Sequence, residues 1–271
     1  MKHSMNELKD LAKKARSIVI EMIGSLGKGH IGGSLSIVDV LVILYYEQMH
    51  IDPSNSRMKN RDRLVMSKGH AGPALYAFLA MKEYFDLENI TTLNQPGTIL
   101  PSHCDMNLTN GVDMTTGSLG QGLSAAVGMA ISSRVDKTPF NVYCVIGDGE
   151  SQEGQIWEAS MFASQMKLGN LIVFLDHNNL QIDGSVEDIN SLSSPSERWR
   201  AFGWNTQEID GHDLQAINEA VERAKRCQDR PNLIVAKTIK GKGWKKIEGT
   251  VKSHSMPVTK EDVANALEGL K

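Results

Sequence analysis

The chain has 271 residues, with 29 Lys and Arg against 32 Asp and Glu, a net charge of −3 and 41% hydrophobic residues. That balance argues against wholesale disorder and excludes the basic surface that sequence-independent nucleic-acid binding needs. No apolar run approaches the ~20 residues that cross a bilayer, the N-terminus lacks the apolar core of a secretion signal, and the isolated Cys104, Cys144 and Cys227 form no CxxC. A soluble protein of the reducing cytoplasm is expected, with neither nucleic acid nor membrane as partner.

No repeat, proline-rich linker or charge block divides the sequence, so residues 1–271 read as one domain. Leu8, Leu11, Ala12, Ala15, Ile18, Val19 and Met22 recur at helical spacing, and Gly24 is the expected stop. A glycine-rich turn, Gly27 to Gly33, precedes a second, buried helix over 34–49. Leu64-Val65-Met66 reads as a short strand ending at Ser67-Lys68-Gly69-His70, with a helix over 73–84 after it and another over 124–131. Residues 141–146 and 171–175 are apolar, β-branched runs bounded by turn residues, which marks buried strands, and 155–167 between them has helical spacing. A helix over 214–227 and a strand over 233–236 follow, then an irregular Lys-, Gly- and Ser-rich tail with a short helix over 260–270. Strands alternating with helices predict an α/β fold, a parallel sheet with helices on both faces.

Asp148 falls just past the carboxyl end of one strand and Asn178 just past the next. A right-handed crossover places both on the sheet edge where open α/β proteins bind ligands. A carboxylate, an amide oxygen and nearby carbonyls are hard donors suited to Mg²⁺ that keeps substrate phosphates as further ligands. Gly147 and Gly149 let the turn approach a bulky anion. The simpler reading is a helix cap at Asp148 and an ordinary turn at Asn178-Asn179. Gly117-Ser118-Leu119-Gly120-Gln121-Gly122 opens a helix of small residues whose free amides favour an anion, or simply close packing. Among eight histidines, His30, His70, His103 and His254 stand in loops beside Gly, Ser or Pro, where imidazole can bond hydroxyls and move protons. His3 and His50 read as structural, and His212 is open between the two roles.

Gly147-Asp148-Gly149 followed thirty residues later by Asn178-Asn179 resembles the diphosphate signature of thiamin diphosphate enzymes. One branch accounts for more of the chain. From about Leu11 onward it resembles the N-terminal, diphosphate-binding half of a transketolase. The matching segments include Gly29 to Gly33, Ser67 to His70, Pro101-Ser102-His103, Thr115 to Gly122, Gly147 to Gly154, Asp176 to Gly184, Asp210 to Asp213 and Ser253-His254. Ile31 and Cys104 depart from it, standing where proline is usual.

The resemblance implies the thiamin diphosphate-binding fold, with thiamin diphosphate and Mg²⁺ as cofactors. It assigns Asp148, the Asn178 side chain and the Leu180 carbonyl to the metal. Gly147, Gly149 and the backbone of Gly117 and Leu119 go to the cofactor, His70 and His254 to the diphosphate and reactive end, and His30 and His103 to sugar hydroxyls. Glu153 is implied near a subunit interface, bonded to the glutamate that activates the cofactor; a helix-start carboxylate is the simpler alternative.

In the family the pyrimidine-binding domain and a C-terminal domain lie beyond this stretch. The expectation is therefore one subunit of a split enzyme, paired as α2β2 with a chain carrying the pyrimidine domain and its glutamate. The implied reaction moves a two-carbon ketol unit from a ketose, often phosphorylated, to an aldose. Alternatives are the alpha subunit of a 2-oxoacid dehydrogenase-type decarboxylase, a 1-deoxy-xylulose-5-phosphate synthase, and a scaffold without catalysis.

Overall fold

The first helix begins where the chain can satisfy its own free amides. Ser4 accepts from Glu7 N while the Glu7 carboxylate accepts from Ser4 N, a reciprocal cap that opens α1 (Met5–Leu26). The computed structural model describes residues 1–270. Gly24, the expected stop, lies inside α1. A side chain there would strike Val263, so its bareness serves helix packing. The helix ends instead at Gly27, in the left-handed region at φ 82°.

Residues Lys28–Gly29 (β1) pair with a short strand near the C-terminus. The single helix expected over 34–49 is three pieces: α2 (Gly32–Ser36), α3 (Val38–Ile43) and a π-helical turn, Leu44–Gln48. The Ser34 hydroxyl donates back to the carbonyl of His30, competing with the regular ladder, and the Ser36 hydroxyl, where α2 stops, donates to Asp176 Oδ2 at 2.6 Å. Then come β2 (Arg63–Met66), α4 (Gly72–Met81), α5 (Gln121–Val135), β3 (Val142–Gly147), α6 (Gly154–Gln165) and β4 (Leu171–His177). Two short helices, α7 (Val186–Asn190) and α8 (Pro195–Ala201), lead to β5 (Asn205–Asp210), α9 (Leu214–Arg226) and β6 (Asn232–Lys237). β7 (Met256–Pro257), which closes on β1, and α10 (Lys260–Glu268) end the chain.

Strands β2, β3, β4, β6 and β5, in that order, form one parallel sheet. Helices cover both faces, as the alternating pattern required. Tyr143, Val145, Ile172 and Phe174 pack under α1, α3, α4 and α9. Val142, Cys144, Leu171 and Val173 point to the other face, under α5, α6 and the fully buried Trp199 and Trp204. Strand β5 was not foreseen. It is an edge strand whose residues are polar except the buried Ile209, so neither a continuous apolar run nor clean alternation marks it. Register matters most at the carboxyl ends: Gly147 pairs with Asp176 and Asp176 with Ala236, so the loops after β3, β4 and β6 emerge side by side.

A buried ion pair fastens α1 to this sheet edge. Arg16 of α1 donates Nη1 and Nη2 to the two oxygens of Asp39 in α3, at 3.1 and 2.6 Å. His212 Nδ1 lies 2.7 Å from Asp39 Oδ2, and its Nε2 accepts from Ile239 N, so this histidine is structural. The Arg16 and His212 contacts outweigh burial and hold the Asp39 carboxyl below its ordinary value. Asp39→Ala strands the guanidinium, and urea unfolding is expected to show a loss of about 3–5 kcal/mol. A loss under about 1 kcal/mol, the range of a surface pair, would contradict this.

Candidate functional site

A cleft of ≈ 290 Å³ opens at the carboxyl edge of the sheet, between the loops after β2, β3, β4 and β6. A larger hollow of ≈ 690 Å³ lies at the opposite edge near Asn141 and Asn170. It is shallow, and Lys225 and Asp62 there are already engaged with neighbouring groups. The convergent, unsatisfied charge is in the smaller cleft.

Asp148 is buried and joins two loops. Its Oδ2 accepts from Asn178 N at 2.8 Å and Asn179 N at 2.6 Å, and its Oδ1 lies 2.6 Å from His177 Nδ1. Burial pushes the Asp148 carboxyl up against the opposing pull of His177. The Asn178 amide is oriented by Asp176: Nδ2 donates to Asp176 Oδ2 at 3.3 Å, which leaves Oδ1 as an acceptor, taken by Leu180 N at 3.1 Å. Asn179 sits at φ 60°, a conformation Asn adopts more readily than most residues, which accounts for the second asparagine. Leu180 turns its carbonyl to Lys240 Nζ at 3.3 Å.

The loop pair thus brings together the three expected metal ligands, all lining the cleft. Among the described residues no group of three or more His, Cys, Asp or Glu side chains could hold a metal. A cation here would take one carboxylate, an amide and a carbonyl, and rely on phosphate oxygens for the rest. That set fits Mg²⁺ and fits no soft metal.

Two lysines that the sequence did not flag lie at the cleft floor. Lys68, 2% exposed, donates to Asp176 Oδ2 at 2.5 Å and to Gly33 O at 2.7 Å. Asp176 also accepts from Ser36 and Thr238, and the Lys68 charge overcomes burial to keep its carboxyl below the ordinary value. Lys240, 3% exposed, makes no ion pair with a carboxylate among the described residues. Its neighbours are Leu180 O and, at 3.2 Å, His254 Nδ1. Burial and the Lys68 charge push Lys240 down to about 8. Burying an ammonium without a counter-ion is costly, and an anion such as a diphosphate would offset that cost.

The four loop histidines, far apart in sequence, meet above the lysines. The His30 ring centre lies 5.4 Å from His70, 5.6 Å from His103 and 5.4 Å from His254, and His70 is 5.1 Å from His254. Burial lowers all four. His70 falls well below its ordinary value with Lys68 adding to the effect, and His254 is pushed to about 4 by burial and Lys240. All four are neutral at pH 7, able to accept a proton and to share hydrogen bonds with hydroxyls. Ile31 and Cys104, the departures from proline, are both buried.

Leu119 lines the cleft and Gly117 lies against the His103 ring, as the small-residue loop suggested. Glu153 is exposed at the mouth, preceding α6. The buried carboxylate of that segment is Glu150, which sequence reasoning passed over. Lys68, Lys240 and Glu150 were missed because a charged residue beside glycine reads as a solvated turn, and Asp176 because an acid at a strand end reads as the start of one. The signal was present at Thr238 to Gly243, where lysines and glycines alternate directly after a buried strand.

Residues 8–270 match the family described as transketolase, thiamine diphosphate binding domain. The chain is 56% identical to the 6-deoxy-6-sulfo-D-fructose transketolase subunit SqwG of Clostridium sp. strain MSTE9, over 96% of this chain and 95% of that protein. It is 39% identical to a subunit of apulose-4-phosphate transketolase from Phocaeicola vulgatus, over 94% and 91% of the two. Among solved structures, transketolase from Campylobacter jejuni superposes with a TM-score of 0.93 at 35% identity, covering 99% of this chain and 43% of that one.

Replacing Lys240 by Met keeps its bulk and removes its charge. Calorimetric titration with magnesium and inorganic pyrophosphate is expected to show affinity lower by about tenfold or more. The thermal midpoint of the unliganded chain should rise, since a buried unpaired charge is gone. Unchanged pyrophosphate affinity would contradict the assignment of this lysine to an anion.

Proposed function

This chain belongs to the transketolase family through its thiamine diphosphate-binding domain, and from that premise we propose that it is one subunit of a split transketolase. It carries the diphosphate-binding domain over its whole length. A separate chain supplies the pyrimidine-binding and C-terminal domains, with the glutamate that activates the cofactor, in an α2β2 assembly. Two relatives that match this chain over nearly their full length are themselves named subunits, which supports this division. The observation that carries the reading is the pairing of the Asp148–Asn178–Leu180 oxygens with the uncompensated Lys240 beneath four neutral histidines.

In this reading Asp148, the Asn178 amide oxygen and the Leu180 carbonyl hold Mg²⁺. Lys240, His70 and His254 face the diphosphate, and the backbone of Gly117, Leu119, Gly147 and Gly149 contacts the cofactor. When bound, thiamin diphosphate supplies a nucleophilic thiazolium carbon that can store the electron pair of a broken carbon–carbon bond. The histidines manage the protons. As the donor's C2–C3 bond breaks, its C3 hydroxyl must lose a proton to become an aldehyde. Neutral His30 and His254, 5.4 Å apart, are placed to take it and to return it to the acceptor's carbonyl oxygen as the new bond forms. His103 orients sugar hydroxyls, and Glu153 at the mouth meets the partner chain.

The donor we favour is 6-deoxy-6-sulfo-D-fructose, named for the relative at 56% identity. Loss of C1 and C2 from that ketose leaves a four-carbon aldose bearing the sulfonate on its last carbon. A 2-oxoacid dehydrogenase-type subunit is disfavoured, because the relatives that match the chain end to end are transketolase subunits. The cytoplasm is the proposed location: all three cysteines are free, and no helix among the described residues is long and apolar enough to cross a membrane.

The test mixes the purified chain with a partner carrying the pyrimidine domain, in magnesium and thiamin diphosphate, with a ketose donor and an aldose acceptor. Aldose elongation without CO₂ release is expected only in the mixture, fastest with the sulfonated ketose. CO₂ release from pyruvate without elongation would overturn the reaction class, and full activity of the chain alone would overturn the split.

A further inference from the structure

We propose that Glu150 is a positioning residue that locks together the three loops forming the diphosphate wall of the cleft; the inference rests on the cofactor reading above. Its carboxylate, 2% exposed, reaches one donor from each loop. Oε1 accepts from the Ser67 hydroxyl, in the loop after β2, and from Gly120 N, in the loop before α5, at 3.0 Å. Oε2 accepts from Gly147 N, the last residue of β3 and the start of its turn, at 3.1 Å. Each donor stands within three residues of a group the cofactor reading uses: His70 after Ser67, Leu119 before Gly120, Asp148 after Gly147. One side chain therefore sets the spacing of all three.

The packing leaves these loops no independent slack. A Cβ at Gly122 would stand 2.5 Å from Ser67 Oγ, and one at Gly69 would stand 2.7 Å from Gly117 N. A shift of any loop is passed to the others. The chemistry also requires a carboxylate, since both oxygens must accept and only an ionised acid offers two acceptors without a donor. Glutamine has the same shape but would turn an NH₂ group toward either Gly147 N–H or the Gly120 and Ser67 donors. Aspartate is one methylene too short to reach all three.

The experiment titrates full-length wild type, Glu150→Gln and Ser67→Ala with magnesium and inorganic pyrophosphate. Thermal unfolding and amide hydrogen exchange of each unliganded chain are recorded alongside. Glu150→Gln is expected to bind about 10- to 100-fold more weakly, with faster exchange confined to the peptides holding Gly120 and Gly147. Ser67→Ala leaves both backbone amides bonded and should lose no more than about threefold in affinity. A purely structural role would instead lower the midpoint and speed exchange across the sheet, with affinity following stability in both variants. Equal affinity in Glu150→Gln and wild type would overturn the proposal while leaving the cofactor site standing. Failure of wild type to bind magnesium pyrophosphate would overturn the site itself. Should Glu150→Gln not fold, the wild type still decides: Gly120 and Gly147 amides exchanging at open-loop rates would refute the lock.

Discussion

Two ammonium groups are buried at one sheet edge, and a single carboxylate is paired with them. Lys68 is matched to Asp176; Lys240 has a carbonyl and a neutral imidazole. Of the other two buried acids of this edge, Asp148 is committed to His177 and two backbone amides, and Glu150 to the Ser67 hydroxyl and two backbone amides. Among the described residues Lys240 therefore has no carboxylate of its own within bonding distance, a state proteins avoid unless a ligand completes it. Burial is the main reason that His70, His254 and Lys240 are lowered, and the neighbouring ammonium charge adds to it.

The parallel sheet makes this concentration possible. All strands of such a sheet end on the same side, so loops distant in sequence meet there without long excursions. Here they deliver Lys68 after β2, Asp148 after β3, Asn178 after β4 and Lys240 after β6, each within three residues of its strand. The opposed cores under α4 and α6 hold those strand ends rigid, and the Arg16–Asp39–His212 contacts tie α1 and α3 to the loop at Ile239. Binding groups on short loops above a packed sheet are pre-positioned, which lowers the ordering cost of taking up a charged ligand.

How much of this could be read in advance depended on what each residue type reveals by its neighbours. Asp148 and the four histidines were legible because glycine, serine or proline beside a polar residue marks a loop, and Asn178 because it falls just past an apolar strand. The central strands were legible from their apolar, β-branched runs. Strand β5 was not, since an edge strand needs little apolar surface, and the break after Ser36 was not, since the serine hydroxyls act only once the backbone is nearby. Lys68, Lys240, Asp176 and Glu150 share a deeper reason: charged side chains are nearly always solvated, and only three-dimensional neighbours show that these are not.

In the function proposed above, this edge of the sheet holds a metal-bound diphosphate. Anomalous diffraction from crystals grown with thiamin diphosphate and Mn²⁺ in place of Mg²⁺ examines it directly. The expected result is one strong peak about 2–2.3 Å from an Asp148 oxygen, Asn178 Oδ1 and the Leu180 carbonyl, with diphosphate density against Lys240. Diphosphate density elsewhere, or a manganese peak away from these three oxygens, would contradict the account.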